Sequence, residues 1–418
     1  MEKLIVNGGN NLYGTVKISG AKNSALPILS AVLLAEGEYS LKNIPALRDI
    51  STMLSLLKSL GVTSKQIEND VTVINTEDLD LFTASYDLVK TMRASVLVLG
   101  PLLAKRGRAK VSLPGGCAIG ERPVDLHIKA LRQMGAEIEV RHGYIEAVCD
   151  QLSGTIINFD IVTVTGTENI LMAATLAKGK TVIQNAAQEP EVVDLAKFLK
   201  KMGAKIKGEG TNTIEVVGVD KLHPADYVVM PDRIEAGTFL AAVASAGGEI
   251  EILNCPVWAM ASVIEKFEEI GLDIKSYDEK LLAKMVGRPK ATDITTFPYP
   301  GFPTDMQAQF MAVMSISDGL SVITENIFEN RFMHVSELKR MGADIKLKDR
   351  SAIIKGEKCL TGAHVMASDL RASACLVVAG LAAKGGTEVH RIYHLDRGYE
   401  NFDEKLRNLS ADIMRVKE

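Results

Sequence analysis

The feature of the sequence that most restricts its fold is an internal repeat of about seventy residues. One landmark is an apolar-x-x-apolar phrase that ends at Gly61, Gly135, Gly203, Gly271, Gly342 and Ser410. A second landmark is a segment of small apolar residues that ends at Gly37, Gly107, Gly179, Gly247, Gly319 and Gly385. Because two independent landmarks keep the same spacing, the chain is predicted to consist of six similar structural units.

Each unit is predicted to be a βαβαββ element. The segment 170–179 is apolar on nearly every side, which is typical of a buried helix, and the glycine that follows suits a left-handed residue at the helix end. Residues 181–184 then alternate as a strand does. A second, amphipathic helix ends at the Leu-x-x-Met-Gly phrase, and a strand pair such as 137–148 closes the unit. The predicted class is therefore α/β.

Composition excludes several other classes of protein. The chain has 418 residues, of which 47% are hydrophobic, and a net charge of −4, so disorder and general binding to nucleic acid or acidic membranes are not expected. The apolar stretch 372–383 is shorter than the roughly 18 residues of a membrane span. The first residues do not resemble a secretory signal, so a cytoplasmic protein is expected.

Cysteine and histidine usage predicts neither a disulfide framework nor a metal site. The five cysteines are scattered and never form a CxxC pair. The seven histidines do not occur at the spacing of metal ligands and are expected at the surface or behind the site.

Cations occupy the first turns of four of the six predicted buried helices: Lys22, Arg93, Arg233 and Arg371. A cation there opposes the helix dipole, at a cost of about 0.3–1 kcal/mol each. It becomes favourable if an anionic ligand is shared between the cation and free backbone N–H groups. If these helices lie side by side in two groups, their N-terminal ends converge on a positive cleft. Solvated arginines remain the alternative.

The segment 113–127 combines a lone cysteine with a cation. Two glycines precede Cys117 in a loop between Pro114 and Pro123, and Arg122 follows closely. A thiol beside an arginine should have a lowered pKa and can act as an acid or a nucleophile. A purely structural cysteine is the alternative, and the loop is not a phosphate-binding P-loop because it lacks the Gly-Lys-Ser/Thr ending.

Candidate acid–base and anion-binding residues occur in the last third of the chain. Asp305 opens an apolar helix after a proline-rich loop, so it is either a general base or a plain N-cap. Arg331, Arg371 and Arg397 each follow a strand or open a helix, so they either bind anions or form structural ion pairs.

The six units, the segment Gly20-Ala21-Lys22-Asn23 and the loop 114–126 together resemble the enolpyruvyl transferases over essentially the whole chain. The resemblance implies two domains that form an inside-out α/β barrel, with buried helices and outer sheets, and close over a cleft. Residues 22–229 would form the three-repeat domain that carries the Cys117 loop. Residues 1–21 plus 230–418 would form the other three-repeat domain, which carries Asp305 and the three arginines.

The resemblance also assigns residues to substrates. Phosphoenolpyruvate would be held by Lys22, Asn23, Arg122, Arg331, Arg371 and Arg397. A UDP-sugar would be held by Asn23, Arg93, Arg122, Pro123, Val124, Asp125, Leu126, Thr163, Val164, Asp305 and Ile327. The turn 160–165 departs from the family pattern, because Ile161 stands where the family often has lysine.

The cysteine loop resembles the family member that transfers the enolpyruvyl group of phosphoenolpyruvate to the 3-hydroxyl of UDP-N-acetylglucosamine, the first committed step of peptidoglycan synthesis. By that resemblance Asp305 is the base, Cys117 gives a proton to C3 and reacts with fosfomycin, and Lys22 neutralises the phosphate. The implied partners are these two small substrates. No metal, organic cofactor, nucleic acid, membrane or obligate protein partner is implied.

Two other functions remain open at this point. The chain could use another acceptor on the same repeat, such as shikimate 3-phosphate, or act as an RNA-phosphate cyclase, although no histidine lies in a convincing site loop. Alternatively, it could be a non-catalytic relative that binds a UDP-sugar.

Overall fold

Strands and helices alternate along the chain in the predicted order. The computed structural model describes residues 2–67, 70–77, 81–90, 92–113 and 124–417. The strands are β1 Glu2–Asn7, β2 Leu12–Lys17, β3 Glu38–Lys42, β4 Thr63–Ile67, β5 Val71–Asn75, β6 Thr83–Ala84, β7 Arg108–Ser112, β8 Glu137–Arg141, β9 Tyr144–Val148, β10 Ile156–Asn158, β11 Lys180–Gln184, β12 Lys205–Lys207, β13 Thr213–Val217, β14 Tyr227–Val228, β15 Gly248–Leu253, β16 Asp273–Tyr277, β17 Lys280–Met285, β18 Ile294–Thr295, β19 Leu320–Thr324, β20 Asp344–Lys348, β21 Ser351–Lys355, β22 Leu360–Thr361, β23 His364–Met366, β24 Ala383–Lys384, β25 Gly386–His390 and β26 Asp412–Lys417.

Two kinds of helix alternate with these strands, one buried and one amphipathic. The α-helices are α1 Lys22–Ala31, α2 Arg48–Ser59, α3 Tyr86–Val89, α4 Leu99–Arg106, α5 Asp125–Gln133, α6 Val164–Ala174, α7 Pro190–Lys201, α8 Arg233–Ala246, α9 Ala261–Glu269, α10 Gln307–Met314, α11 Val335–Arg340, α12 Leu370–Ala382 and α13 Phe402–Asn408. Short 3₁₀ helices span Val32–Leu34, Arg93–Val98, Val257–Ala259, Thr304–Met306 and Ile392–Arg397. In α12 every residue from Arg371 to Leu381 is buried, as its apolar sequence predicts.

The repeat appears as a four-stranded sheet with one constant strand order. In the sheet β10-β11-β13-β12, the short strand β10 runs parallel to β11, and β11 and β12 each pair antiparallel with β13. The described residues form six such sheets. In β13 Ile214 and Val216 are buried while Val217 is exposed, so one face of the sheet covers the helices and the other faces solvent.

Three of the six sheets are completed by strands distant in sequence, so the repeats are not simply consecutive. Strand β2 precedes α1 but pairs with β15, and β14 precedes α8 but pairs with β3. Strand β1 lies between β25 and β26, the place that β13 takes in its own sheet. The order along the chain, on which the prediction of consecutive units rested, does not reveal this exchange.

The described residues fall into two compact units. Those of unit A lie within Met1–Ser19 and Pro231–Glu418, and those of unit B within Gly20–Gly116 and Arg122–Met230. Helices α8, α10 and α12 pack together in the core of unit A, and α1, α4 and α6 in that of unit B. In unit A the rings of Phe267 and Phe310 lie 5.4 Å apart, and burying each such side chain contributes about 1.5–3 kcal/mol.

The predicted role of the landmark glycines holds only in part. Gly107 is a left-handed residue directly after α4, as predicted. Gly247 follows α8 with positive φ but extended ψ, and Gly179 lies five residues beyond the end of α6. The glycines therefore mark positive-φ turns before the next strand more consistently than they mark helix ends. Among the described residues, the helices are all too short or too polar to cross a membrane.

Candidate active site

In unit A three separate segments bring Asp305, Arg331 and Arg371 together. Asp305 is in the 3₁₀ turn Thr304–Met306 that leads into α10, Arg371 is in the first turn of α12, and Arg331 lies just before α11. Helices α10 and α12 pack against each other. The Asp305 carboxylate accepts a hydrogen bond from Arg331 Nη2 at 2.5 Å and one from Arg371 Nη2 at 2.9 Å. It is therefore a counterion to two guanidinium groups and not the N-cap of its helix.

The two arginines are almost completely buried and still have unused donors. Arg331 is 5% exposed and Arg371 3%. The Nε of each is buried without a hydrogen-bond partner among the described residues. A buried N–H without an acceptor is costly, so these donors favour an anionic ligand at this place.

The same arginines control the ionisation of Asp305. Burial alone would raise the pKa of Asp305, but Arg371 and Arg331 outweigh it and hold that pKa well below its ordinary value. In this arrangement Asp305 is ionised and a weak base. An anion that neutralised the arginines would raise its pKa and make it a better proton acceptor.

A buried tyrosine fixes the orientation of Arg371. The Tyr399 hydroxyl lies 3.1 Å from Arg371 Nη1 and also contacts Thr238 Oγ1 at 2.9 Å and Gln309 Nε2 at 3.1 Å. Thr238 donates its own proton to the Ile234 carbonyl, so Tyr399 donates to Thr238 and accepts from Arg371 and Gln309. Tyr399 was not predicted as a site residue, although it stands two positions after Arg397.

A second buried chain of hydrogen bonds supports Arg331. Arg331 Nη1 donates to Thr304 Oγ1 at 2.8 Å, and Thr304 donates to Glu325 at 2.8 Å. The other oxygen of Glu325 accepts the backbone N–H of Ile327 at 2.8 Å. The predicted ligand residue Ile327 is thus tied through Glu325 and Thr304 to the arginine pair.

The cations at two helix starts are buried, and acidic residues cap those helices. Arg233 is 8% exposed and lies over the Tyr299 ring, so the alternative of solvated arginines is wrong for Arg233 and Arg371. Asp232 and Asp369 each accept two backbone N–H groups, at the starts of α8 and α12. At these two ends the aspartates therefore take two of the backbone N–H groups that the prediction left to a shared anion. The two aspartate carboxylates interact favourably with the positive ends of these helix dipoles without any ligand.

In unit B a tight crossing of two chain segments positions Lys22 and Asn23. Lys22 begins α1, and its Nζ lies 3.6 Å from Oδ2 of the buried Asp49. A Cβ at position 20 would lie 1.8 Å from the Asn43 carbonyl oxygen, so only glycine fits two residues before Lys22. Asp194 accepts hydrogen bonds from Ser24 and from the Met230 backbone N–H, which fixes the start of α1 against the chain near residue 230.

The predicted UDP-sugar residues of unit B lie at helix starts. Arg93 begins a 3₁₀ helix, and α5 begins with Asp125 and Leu126 directly after its N-cap Val124. Thr163 caps α6 by accepting the Gly166 N–H, with Val164 as the first helical residue. A groove of about 650 Å³ is lined by Asp125, Leu126, Ile128, Lys129, Arg132, Gln133, Val140 and Asp160. It thus joins the start of α5 to the turn 160–165, where the Ile161 side chain is 57% exposed.

A buried histidine–asparagine pair connects α5 and α6 with the 3₁₀ helix Arg93–Val98. Asn169 Nδ2 donates to His127 Nδ1 at 2.9 Å and to the Val96 carbonyl at 3.0 Å, and Asn169 Oδ1 accepts the Gly100 N–H. Burial lowers the pKa of His127 to about 4, so the ring is neutral. No sequence signal identified this pair, because its members are 42 residues apart.

Of the remaining predicted residues, only Arg397 lies within the part of the chain that the structure describes. Arg397 ends the 3₁₀ helix Ile392–Arg397 of unit A, and its neighbour Asp396 pairs with Arg415 at 2.8 Å. Cys117, Arg122 and Pro123 lie outside the described residues. The other four cysteines are free, and burial raises the pKa of Cys255 to about 12.

Comparison with protein families decides the class of this chain. Residues 6–406 match the model of EPSP synthase (3-phosphoshikimate 1-carboxyvinyltransferase). The chain belongs to the EPSP synthase family. Within that family it is 56% identical to a UDP-N-acetylglucosamine 1-carboxyvinyltransferase of Geobacter metallireducens and 57% identical to one of Thermodesulfovibrio yellowstonii, each over 100% of both chains.

Solved structures of EPSP synthase family members confirm the expected fold. The enolpyruvyl transferase NikO from Streptomyces tendae superposes with a TM-score of 0.90 at 23% identity, covering 100% of this chain and 99% of that one. An EPSP synthase from Acinetobacter baumannii gives a TM-score of 0.78 at 20% identity, covering 100% of both chains. The predicted α/β architecture, with buried helices and outer sheets, is therefore the architecture of this family.

Proposed function

We propose that the chain transfers the enolpyruvyl group of phosphoenolpyruvate to the 3-hydroxyl of UDP-N-acetylglucosamine and releases phosphate. The observation that carries this proposal is the full-length identity of 56% to a relative named for that reaction. We place the reaction in the cytoplasm as part of the same proposal.

The arginine pair of unit A supports a role in binding phosphoenolpyruvate. In this proposal Arg331 and Arg371, with Arg397, hold its carboxylate, because a planar guanidinium matches a carboxylate with two parallel hydrogen bonds. The unpartnered Nε atoms of Arg331 and Arg371 supply the donors. Lys22, Asn23, Arg122 and Arg397 would bind the phosphate, with Lys22 neutralising its charge.

The groove of unit B supports a role in binding the nucleotide. Its apolar side chains suit the flat faces of a base, and Asp125 and Asp160 supply acceptors. Arg122, Pro123, Val124 and Leu126 would bind the same substrate. Arg93, Asn23 and the helix start at Thr163 and Val164 would face the diphosphate and sugar, with backbone N–H groups in place of the lysine that Ile161 replaces.

The proposed chemistry needs one base and one acid. The sugar hydroxyl adds to C2 while Asp305 takes its proton and Cys117 gives a proton to C3; phosphate then leaves as C3 loses a proton. Occupation of the arginines by the substrate carboxylate raises the pKa of Asp305 at the moment when a base is needed. Asp305 and Ile327 would also contact the sugar.

The test is release of phosphate from phosphoenolpyruvate with each acceptor in turn. We expect release with UDP-N-acetylglucosamine and none above background with shikimate 3-phosphate. The reverse preference would reject the assigned acceptor, and binding of the UDP-sugar without phosphate release would indicate a non-catalytic relative.

Two variants test the assigned acid and base. Asp305→Asn should lower kcat by at least about a hundredfold, the usual contribution of a general base, whereas Asp278→Asn in an exposed turn should not change it. Cys117→Ala should lose much of the activity at neutral pH and no longer react with fosfomycin. Full activity of the unsubstituted chain after prolonged exposure to fosfomycin and UDP-N-acetylglucosamine would exclude the role given to Cys117.

A further inference from the structure

Two histidines and a glutamate meet on the outer face of a sheet in unit A. His364 is on the edge strand β23, and Glu388 and His390 are on its parallel neighbour β25. In the strand register His364 lies opposite Glu388, and His390 is two residues further on the same face. The ligand atoms of all three lie within 4.8 Å of one another.

The distances suit a tetrahedral metal ion. Zinc bonds of about 2.1 Å place neighbouring ligand atoms about 3.4 Å apart. His364 Nδ1 lies 3.3 Å and His390 Nε2 3.8 Å from Glu388 Oε2. The His364 and His390 rings lie stacked with centroids 5.8 Å apart, so the His364 ring must rotate to bind the ion, and its side chain is 70% exposed and can do so.

We propose that His364, Glu388 and His390 bind a divalent transition-metal ion such as Zn²⁺. Two imidazoles and a carboxylate favour zinc, cobalt, nickel or copper over magnesium or calcium, which prefer oxygen ligands. The edge position of β23 leaves the fourth coordination position to water. This site takes no part in the proposed reaction, so its failure and the failure of that proposal are distinguishable.

A lysine holds the glutamate in the metal-free chain. Lys3 on β1 donates to Glu388 Oε2. The ammonium group also repels a dication, so metal binding must displace Lys3 from Glu388.

Calorimetric titration of the full-length chain with Zn²⁺ tests the site. The protein must carry no histidine tag, and the pH must be held constant because metal binding releases protons. We expect one bound ion per chain whose affinity falls at least about tenfold in His364→Ala and in His390→Ala. His142→Asn and His223→Ala, which change exposed histidines elsewhere, should leave it unchanged. Circular dichroism establishes that each variant is folded.

Two further measurements sharpen the result. Lys3→Met should bind Zn²⁺ more tightly, and unchanged or weaker binding would contradict competition between the ammonium group and the metal. The absorption of bound Co²⁺ should lack a thiolate charge-transfer band. Such a band, the absence of saturable binding, or equal affinity in the His364 and control variants would overturn the proposal.

Discussion

Removing the Tyr399 hydroxyl tests whether the orientation of Arg371 matters for the reaction. Tyr399→Phe keeps the ring, which is packed against Phe402 with centroids 4.9 Å apart, and deletes one buried oxygen. Gln309 Nε2 still donates to the backbone carbonyl of Asp305 at 2.9 Å. The N–H of Arg371 Nη1 that pointed to Tyr399 has no other acceptor among the described residues, so the variant leaves a buried donor on a charged group unpaired.

The expected cost follows from that one lost bond. A buried hydrogen bond to a charged group contributes about 1.5–3 kcal/mol, so the free energy of unfolding should fall by about 2 kcal/mol. Arg371 would then be held on one side only, by Asp305. If about 1.4 kcal/mol of the loss is expressed in the transition state, kcat/KM for phosphoenolpyruvate falls about tenfold.

Phosphate-release kinetics and denaturant unfolding measure the two effects separately. We expect KM for phosphoenolpyruvate to rise while KM for UDP-N-acetylglucosamine is unchanged. Tyr393→Phe, at a tyrosine that is 38% exposed, is the matched control and should alter neither quantity. A loss of stability with unchanged kcat/KM would show that Tyr399 supports only the fold, and our reasoning about Arg371 would be refuted.

Three other perturbations have defined outcomes. Asp305→Asn leaves two buried guanidinium groups without a counterion, so the free energy of unfolding should fall by about 3 kcal/mol. Added phosphate should restore more stability to this variant than it adds to the Asp278→Asn control. Equal gains in the two variants would argue against an anion site. His127 has a folded pKa of about 4 against 6.5 unfolded, so its contribution is complete above pH 6.5 and is lost as the pH falls towards 4. Between about pH 7 and pH 5 this loss is about 2 kcal/mol. It should appear as the difference between the pH-dependent unfolding curves of the chain and of His127→Gln, which lacks the imidazole. Asp194→Asn should lower the free energy of unfolding by about 2 kcal/mol and, by loosening the start of α1, raise KM for phosphoenolpyruvate. Asp150→Asn, at an exposed turn, should change neither quantity. Denaturant unfolding and phosphate-release kinetics measure the two effects.

Local sequence patterns predicted most of the secondary structure. The apolar segment after Gly166 and the alternating residues 181–184 correspond to α6 and β11, because side-chain periodicity and burial are properties of neighbouring residues. The helix that carries Asp305 was also predicted, but the choice between an N-cap and a carboxylate paired with arginines was not. That choice depends on Arg331 and Arg371, which are 26 and 66 residues away in the chain.

Long-range features could not be predicted in the same way. The pairing of β2 with β15 joins residues more than two hundred positions apart, and the repeat gives no sign that β2 leaves its own unit. The Asp369 cap was missed because any short acidic residue before a helix can face solvent or bind backbone N–H groups. The His364–Glu388–His390 cluster was missed because ligand spacing along the chain does not measure distance across a sheet.

The sequence alone determined the number of repeats, their α/β content, the buried helices and the cations at their starts. These follow from periodicity, glycine placement and apolar composition, which act over a few residues. The tertiary structure decided which strands complete which sheets, which acidic groups meet Arg331 and Arg371, and which polar groups remain buried without a partner. Those outcomes depend on packing between distant segments, where burial turns a hydrogen bond or a charge into a specific requirement for one partner.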